Sequence, residues 1–148
     1  PTKQVRRAIA LLCLLPHTRL LKTSSFYCTA PVGYADQPDF INAVCLIDTT
    51  LSAQALLAAL HDIEAAFGRE RSFRNAPRTL DLDIIDYAHC RHSSDALTLP
   101  HPRAHERSFV MLPLAEIAPD YALGSHGTAA GLAERLGGSG IDLFSPPI

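Results

Sequence analysis

Apolar residues recur at helical spacing along three stretches of the chain. Near its start, Val5, Ala8, Ile9, Leu12 and Leu15 form one face of a predicted helix, for which Pro1 suits the first turn. Further on, Leu56, Leu60, Ile63 and Phe67 stand four, three and four residues apart, with Ser52 placed as the N-cap and Gly68 as the stop. The third stretch, 107–118, carries Phe109, Leu112, Leu114 and Ile117, and Pro113 should interrupt or kink it. A short fourth helix is predicted over 128–136.

Three β-leaning stretches lie among these helices. Residues 18–28 carry Leu20, Leu21, Phe26 and Tyr27, and residues 40–49 carry Ile41, Val44, Leu46 and Ile47. In the third, 79–87, Leu80, Leu82 and Ile84 alternate with Asp81 and Asp83, so the two carboxylates share one face of a predicted strand. Loops are predicted at 30–34, at the arginine-rich 68–77 and at 88–95. Leu97-Thr98-Leu99 is a short extended piece, Pro100-His101-Pro102 a rigid turn, and the tail from Gly137 is rich in glycine and proline.

The order helix, strand, strand, helix, strand, helix points to an α+β fold, an antiparallel or mixed sheet with helices packed on it. A ferredoxin-like βαββαβ arrangement would need one more strand, ahead of Pro1. With 148 residues, 47% hydrophobic and 19% charged, the chain reads as a single globular domain over 1–148, which excludes a disordered chain. A net charge of -2 gives no general attraction to nucleic acid, so an anionic ligand must be held by local arginines. Cys13, Cys28, Cys45 and Cys90 lie at no zinc spacing and read as reduced thiols. The longest apolar run, 8–15, is too short to cross a bilayer and has no cleavage pattern, so the expectation is a cytoplasmic protein without a membrane partner.

Two aspartates about 7 Å apart on one strand face repel each other unless something neutralises them. A divalent cation does so, and hard oxygen donors beside Arg78 point to Mg²⁺ with phosphate. Arg69, Arg71, Arg74 and Arg78 form either a phosphate clamp or a solvated basic loop. His101 is placed either to donate to a phosphate or purine or to serve the turn, with Arg107 close behind it. His17, His61, His89, His92, His105 and His126 stand at no metal spacing and read as structural or surface groups. Asn42, inside an apolar strand, needs partners that either backbone or a polar heterocycle could supply.

The motifs Pro77-Arg78-Thr79-Leu80-Asp81-Leu82-Asp83-Ile84, Leu99-Pro100-His101-Pro102-Arg103, Glu106-Arg107-Ser108-Phe109-Val110 and Pro113-Leu114-Ala115-Glu116-Ile117-Ala118-Pro119 together resemble the 6-hydroxymethyl-7,8-dihydropterin pyrophosphokinase family. The similarity extends back through Gln37-Pro38-Asp39-Phe40-Ile41-Asn42-Ala43 and Ser24-Ser25-Phe26-Tyr27-Cys28-Thr29. The resemblance implies a cytoplasmic, monomeric enzyme of folate biosynthesis that moves pyrophosphate from ATP to a reduced pterin and releases AMP. It implies two Mg²⁺ ions on Asp81 and Asp83, and Arg69 and Arg78 as catalytic arginines. Arg71, Ile84, Thr98, His101, Arg107 and Glu64 match positions at the nucleotide, and Thr29, Val32, Phe40, Asn42 and Phe109 match the pterin pocket. Asn75-Ala76 replaces the family's Trp-Gly in a loop one residue shorter, and Ala30 stands where a second proline is frequent. The family's first strand and its Gly-Ser-Asn-type loop are expected ahead of Pro1, so the sheet of this chain is expected to lack that strand. Two other classes compete: a non-catalytic ferredoxin-like module that binds an anionic metabolite without metal, and a metal-dependent phosphohydrolase.

Overall fold

Two of the β-leaning stretches each break once, and the breaks meet. Where 18–28 predicted one strand, the computed structural model, which describes residues 2–29, 40–68, 80–138 and 141–144, has β1 (Thr18–Thr23) and β2 (Phe26–Thr29). Residues 40–49 likewise divide into β3 (Phe40–Asn42) and β4 (Cys45–Thr49). β1 pairs antiparallel with β4, and β2 with β3, so both ladders belong to one bent ribbon. Ser24 holds the bend: it is 4% exposed, its N–H donates to the Val44 carbonyl, and its hydroxyl accepts the Val44 N–H, both at 2.9 Å. A side-chain oxygen here takes the place of the backbone carbonyl that an unbroken ladder would offer.

The helices follow the apolar periodicity closely. α1 (Thr2–Cys13) and α2 (Ala53–Gly68) form as predicted, and the Ser52 hydroxyl caps α2 by accepting the Ala55 N–H at 3.1 Å. α3 (Ser108–Ile117) continues through the buried Pro113, so the expected interruption is not a break. The proline removes the usual donor to the Phe109 carbonyl but does not end the helix. Thr128 caps α4 (Ala129–Leu136), its hydroxyl accepting the Gly131 N–H at 3.2 Å.

Alternation along the middle of the ribbon divides the molecule into layers. Cys45 and Ile47 pack into a core with Ala8 and Leu12 of α1 and Leu56, Leu60, Ile63 and Phe67 of α2. Val44 and Leu46 point into a second core with Met111, Leu114 and Ile117 of α3 and Ala129 and Leu132 of α4. The strand plane therefore separates two helix pairs, an α+β fold in α/β/α layers.

Residues 80–85 lie in that plane too, with Leu80, Leu82 and Ile84 packed into the first core and Ile85 into the second. The burial alternation is that of a strand, yet the predicted strand over 79–87 is corrected. Residues 80–85 carry no ladder among the described residues, and residue 79 lies outside them. The backbone finds other partners: the Leu82 N–H goes to the Glu64 side chain and the Ile85 carbonyl to the His101 N–H.

Two short strands were not predicted: β5 (His92–Ser93), within the expected polar loop, and β7 (Ile141–Phe144), within the tail, which pairs antiparallel with β2. β5 pairs with β6 (Thr98–Leu99), which falls on the extended piece expected over 97–99. No helix among the described residues is long and apolar enough to cross a membrane.

Candidate active site

Packing orients the two aspartates. Because Leu80, Leu82 and Ile84 are drawn into the core over α2, Asp81 and Asp83 face solvent together on the opposite side. Between them the Leu82 N–H donates to Glu64 Oε2 at 2.7 Å, which ties the run to α2.

Asp83 lies at the edge of a cavity of about 300 Å³ that also meets Glu64, Ile84, Thr98 and His101. Five residues expected at the nucleotide or the metal thus converge from α2, from residues 80–85 and from the segment around β6. Leu57, Leu82 and Leu97 also line the cavity, together with the exposed Ser94 and Asp95. His61, read from sequence as a structural or surface group, lines this cavity one helical turn before Glu64. That spacing places both side chains on one face of α2, a signal available in the sequence. Ser94 and Asp95 left no such signal, since only the β5–β6 pairing brings them in.

A larger cavity, about 500 Å³, lies beside Arg91, His92, Ser125 and His126. It contains no carboxylate and only Thr98 of the expected residues, so it is not the candidate site. His105 and His126 stack with ring centroids 3.5 Å apart, and His89 stacks on Tyr121 at 4.5 Å.

His101 is locked at both ends. Its N–H donates to the Ile85 carbonyl at 2.7 Å, and its Nδ1 accepts the Arg103 N–H at 3.2 Å, which assigns the ring proton to Nε2. Burial pushes the imidazole below its ordinary value; Asp83 opposes that shift, and Arg107 and Arg103 reinforce it. A neutral ring with a free Nε2–H donor suits a phosphate oxygen or a ring nitrogen.

Arg107 connects this side to the other expected pocket. Its guanidinium carbon lies 5.5 Å from the centroid of the Phe109 ring while its charge reaches His101. On the ribbon, Thr29 opposes Phe40 and Tyr27 opposes Asn42, so these four share one face. Asn42 Nδ2 donates to Thr29 Oγ1 at 3.2 Å, leaving the amide carbonyl to accept, and Phe40 is 53% exposed. Val32, Arg69, Arg71, Arg74 and Arg78 lie outside the described residues.

Glu116, which sequence reasoning did not single out, sets β2 against α3. Its carboxylate accepts the Ser25 N–H at 2.8 Å, the Ser25 hydroxyl at 2.9 Å and the Tyr27 hydroxyl at 2.7 Å. Seven residues separate Glu116 from Phe109, two helical turns, so both belong to one face of α3. Burial would raise the Glu116 carboxyl, but the Tyr27 and Ser25 donors outweigh it and hold the group below its ordinary range. Desolvation, with Glu116 adding to it, pushes the Tyr27 phenol up to about 12.

A depressed carboxyl contributes stability above its ordinary range and loses it as pH falls through the folded value. Glu116→Ala therefore lowers the melting temperature at pH 7, and the difference from the parent closes on acidification. Melts across pH 3 to 7 check this, and a gap that ignores acid would detach Glu116 from the β2–α3 contact.

The sequence matches the 7,8-dihydro-6-hydroxymethylpterin-pyrophosphokinase family over residues 1–119. A 2-amino-4-hydroxy-6-hydroxymethyldihydropteridine pyrophosphokinase of Haemophilus influenzae is 46% identical over 123 residues, 83% of this chain and 77% of that protein. The protein of the same name from Methylorubrum extorquens is 42% identical over 135 residues, 91% of this chain and 85% of its own. The folic acid synthesis protein fol1 of Schizosaccharomyces pombe is 38% identical over 97% of this chain, which spans 20% of that longer protein. With the family matched over residues 1–119 and relatives 42–46% identical over most of their own length, the chain belongs to the 7,8-dihydro-6-hydroxymethylpterin-pyrophosphokinase family.

Proposed function

We propose that this site transfers the pyrophosphoryl group of ATP to the hydroxymethyl oxygen of 6-hydroxymethyl-7,8-dihydropterin, with Asp81 and Asp83 holding two Mg²⁺ ions. The chain is an enzyme, a pyrophosphokinase by its family. The observation that carries the reading is the convergence of Asp83, Ile84, Thr98 and His101 on one cavity, with Arg107 reaching from His101 to the Phe109 ring.

The donor set fits magnesium. Two carboxylates face solvent side by side, and among the described residues no three His, Cys, Asp or Glu side chains come together to hold a metal ion. Magnesium suits such a site because it keeps water and takes the rest of its oxygens from substrate phosphates. When bound, it supplies charge neutralisation across those phosphates.

The chain's own residues do the remaining work. ATP lies in the cavity beside Ile84 and Thr98, and His101 Nε2–H and the Arg107 guanidinium donate to phosphate oxygens. Arg69, Arg71 and Arg78, by the family resemblance, supply guanidinium groups that suit phosphate oxygens. The pterin is sandwiched by Phe40 and Phe109 beside Thr29 and Val32, while the Asn42 amide reads its polar edge. Aligned in line, the hydroxymethyl oxygen bonds to the β-phosphorus as the bond from that phosphorus to the α-phosphate oxygen breaks, and AMP leaves. The scaffold is ferredoxin-like, and the working unit is a cytoplasmic monomer acting on small molecules, not nucleic acid.

Incubation with ATP, Mg²⁺ and the reduced hydroxymethylpterin yields AMP in step with the pterin pyrophosphate. ADP as the product, phosphate released without pterin, or ligand held equally well without Mg²⁺ would each overturn the reading, the last two in favour of a phosphohydrolase and a binding module.

A further inference from the structure

We infer that Glu64 is a positioning residue for the two aspartates, acting through the Leu82 backbone and not as a ligand of the metal. This role rests on Asp81 and Asp83 being the metal ligands. Leu82 stands between them, and its N–H has its acceptor in Glu64 Oε2 at 2.7 Å, a charge-assisted bond. Residues 80–85 have no ladder among the described residues, so this side chain does for the Leu82 amide what a neighbouring strand's carbonyl ordinarily does.

The support behind it is stiff. Leu60, Ile63 and Phe67 of α2 share one core with Leu80 and Ile84, so the helix that carries Glu64 and the run that carries the aspartates are packed together. Holding the Leu82 N–H fixes the peptide plane between Asp81 and Leu82 and limits how far either carboxylate can turn. The charge on Glu64 does not make a third ligand, because no three acidic or other metal-binding side chains gather among the described residues. One carboxylate oxygen already answers the amide, on the α2 side of the run, whereas Asp81 and Asp83 face solvent.

The test reads the Leu82 amide by NMR together with the Mg²⁺ concentration at half-maximal AMP formation. In the parent, the Leu82 amide exchanges slowly. In Glu64→Ala, exchange accelerates by about tenfold or more and the Mg²⁺ midpoint rises by a similar factor. Glu64→Gln keeps a carbonyl acceptor and recovers most of both losses. Equal losses in the two variants with Leu82 exchange unmoved would overturn the role and make the charge itself the active property. Faster Leu82 exchange with an unmoved Mg²⁺ midpoint would also overturn it, leaving a purely structural contact. Should Glu64→Ala fail to fold, the parent decides: a Leu82 amide that exchanges as fast as an unprotected one contradicts the hydrogen bond. A parent that makes no AMP would sink the proposed reaction while leaving the Leu82 measurements standing.

Discussion

Replacing Asp83 by alanine abolishes pyrophosphoryl transfer, lowering kcat by roughly a thousandfold or more, while the domain stays folded. The size follows from the proposed role of Asp83, one of two carboxylates anchoring the charge that neutralises the triphosphate, and Asp83 lies at the edge of the candidate cavity. The fold is spared because Asp83 faces solvent and the core is built by Leu82 and Ile84 on either side of it, so the cost in stability is within about 0.5 kcal/mol. Steady-state kinetics with a thermal melt check both halves. Activity within tenfold of the parent would remove Asp83 from the metal-binding pair.

The second large effect is on the pterin side. Asn42→Leu, close in volume but without the amide, raises KM for the pterin about a hundredfold and changes kcat far less, as expected when a hydrogen-bonding edge meets an apolar side chain. The Thr29 hydroxyl holds that amide at 3.2 Å, so Thr29→Val, which leaves Asn42 free to turn, costs about tenfold in the same constant. Titration of the reduced pterin separates these effects from ATP binding, which neither substitution alters. A kcat loss without a KM change in Asn42→Leu would move Asn42 out of the pocket.

Much of the fold could be read from period alone. The α2 spacing of Leu56, Leu60, Ile63 and Phe67 with its Ser52 cap appears as predicted, because every apolar position faces the same core and the cap acts within three residues. The alternation of Leu80, Asp81, Leu82, Asp83 and Ile84 gave the right faces but the wrong hydrogen-bond partner. Period reports which side a residue buries, whereas a ladder depends on a distant neighbour, and here a glutamate side chain eighteen residues back in the chain takes that place. The break at Ser24 had the same origin, a side chain standing in for backbone. β7 was hidden by its glycine- and proline-rich surroundings and exists through its pairing with β2.

The candidate site was legible where chemistry is unusual for its setting, as with paired aspartates among leucines or an asparagine in an apolar strand. It was not legible where ordinary residues are recruited by tertiary contact. His61 enters from α2, Ser94 and Asp95 through the β5–β6 pairing, and Glu116 through two donors of Ser25 and one of Tyr27 on β2.

The central claim is that metal and triphosphate meet at Asp81 and Asp83, with His101 alongside. Mn²⁺ added with an α,β-methylene analogue of ATP, which cannot break at the transferred linkage, reports this directly through paramagnetic broadening in NMR. The amide signals of Asp81, Leu82, Asp83 and His101 should vanish first, while those of Ala8 and Leu12 of α1, in the core on the face away from the aspartates, persist. Broadening that spares residues 81–83 while the analogue is bound would contradict it.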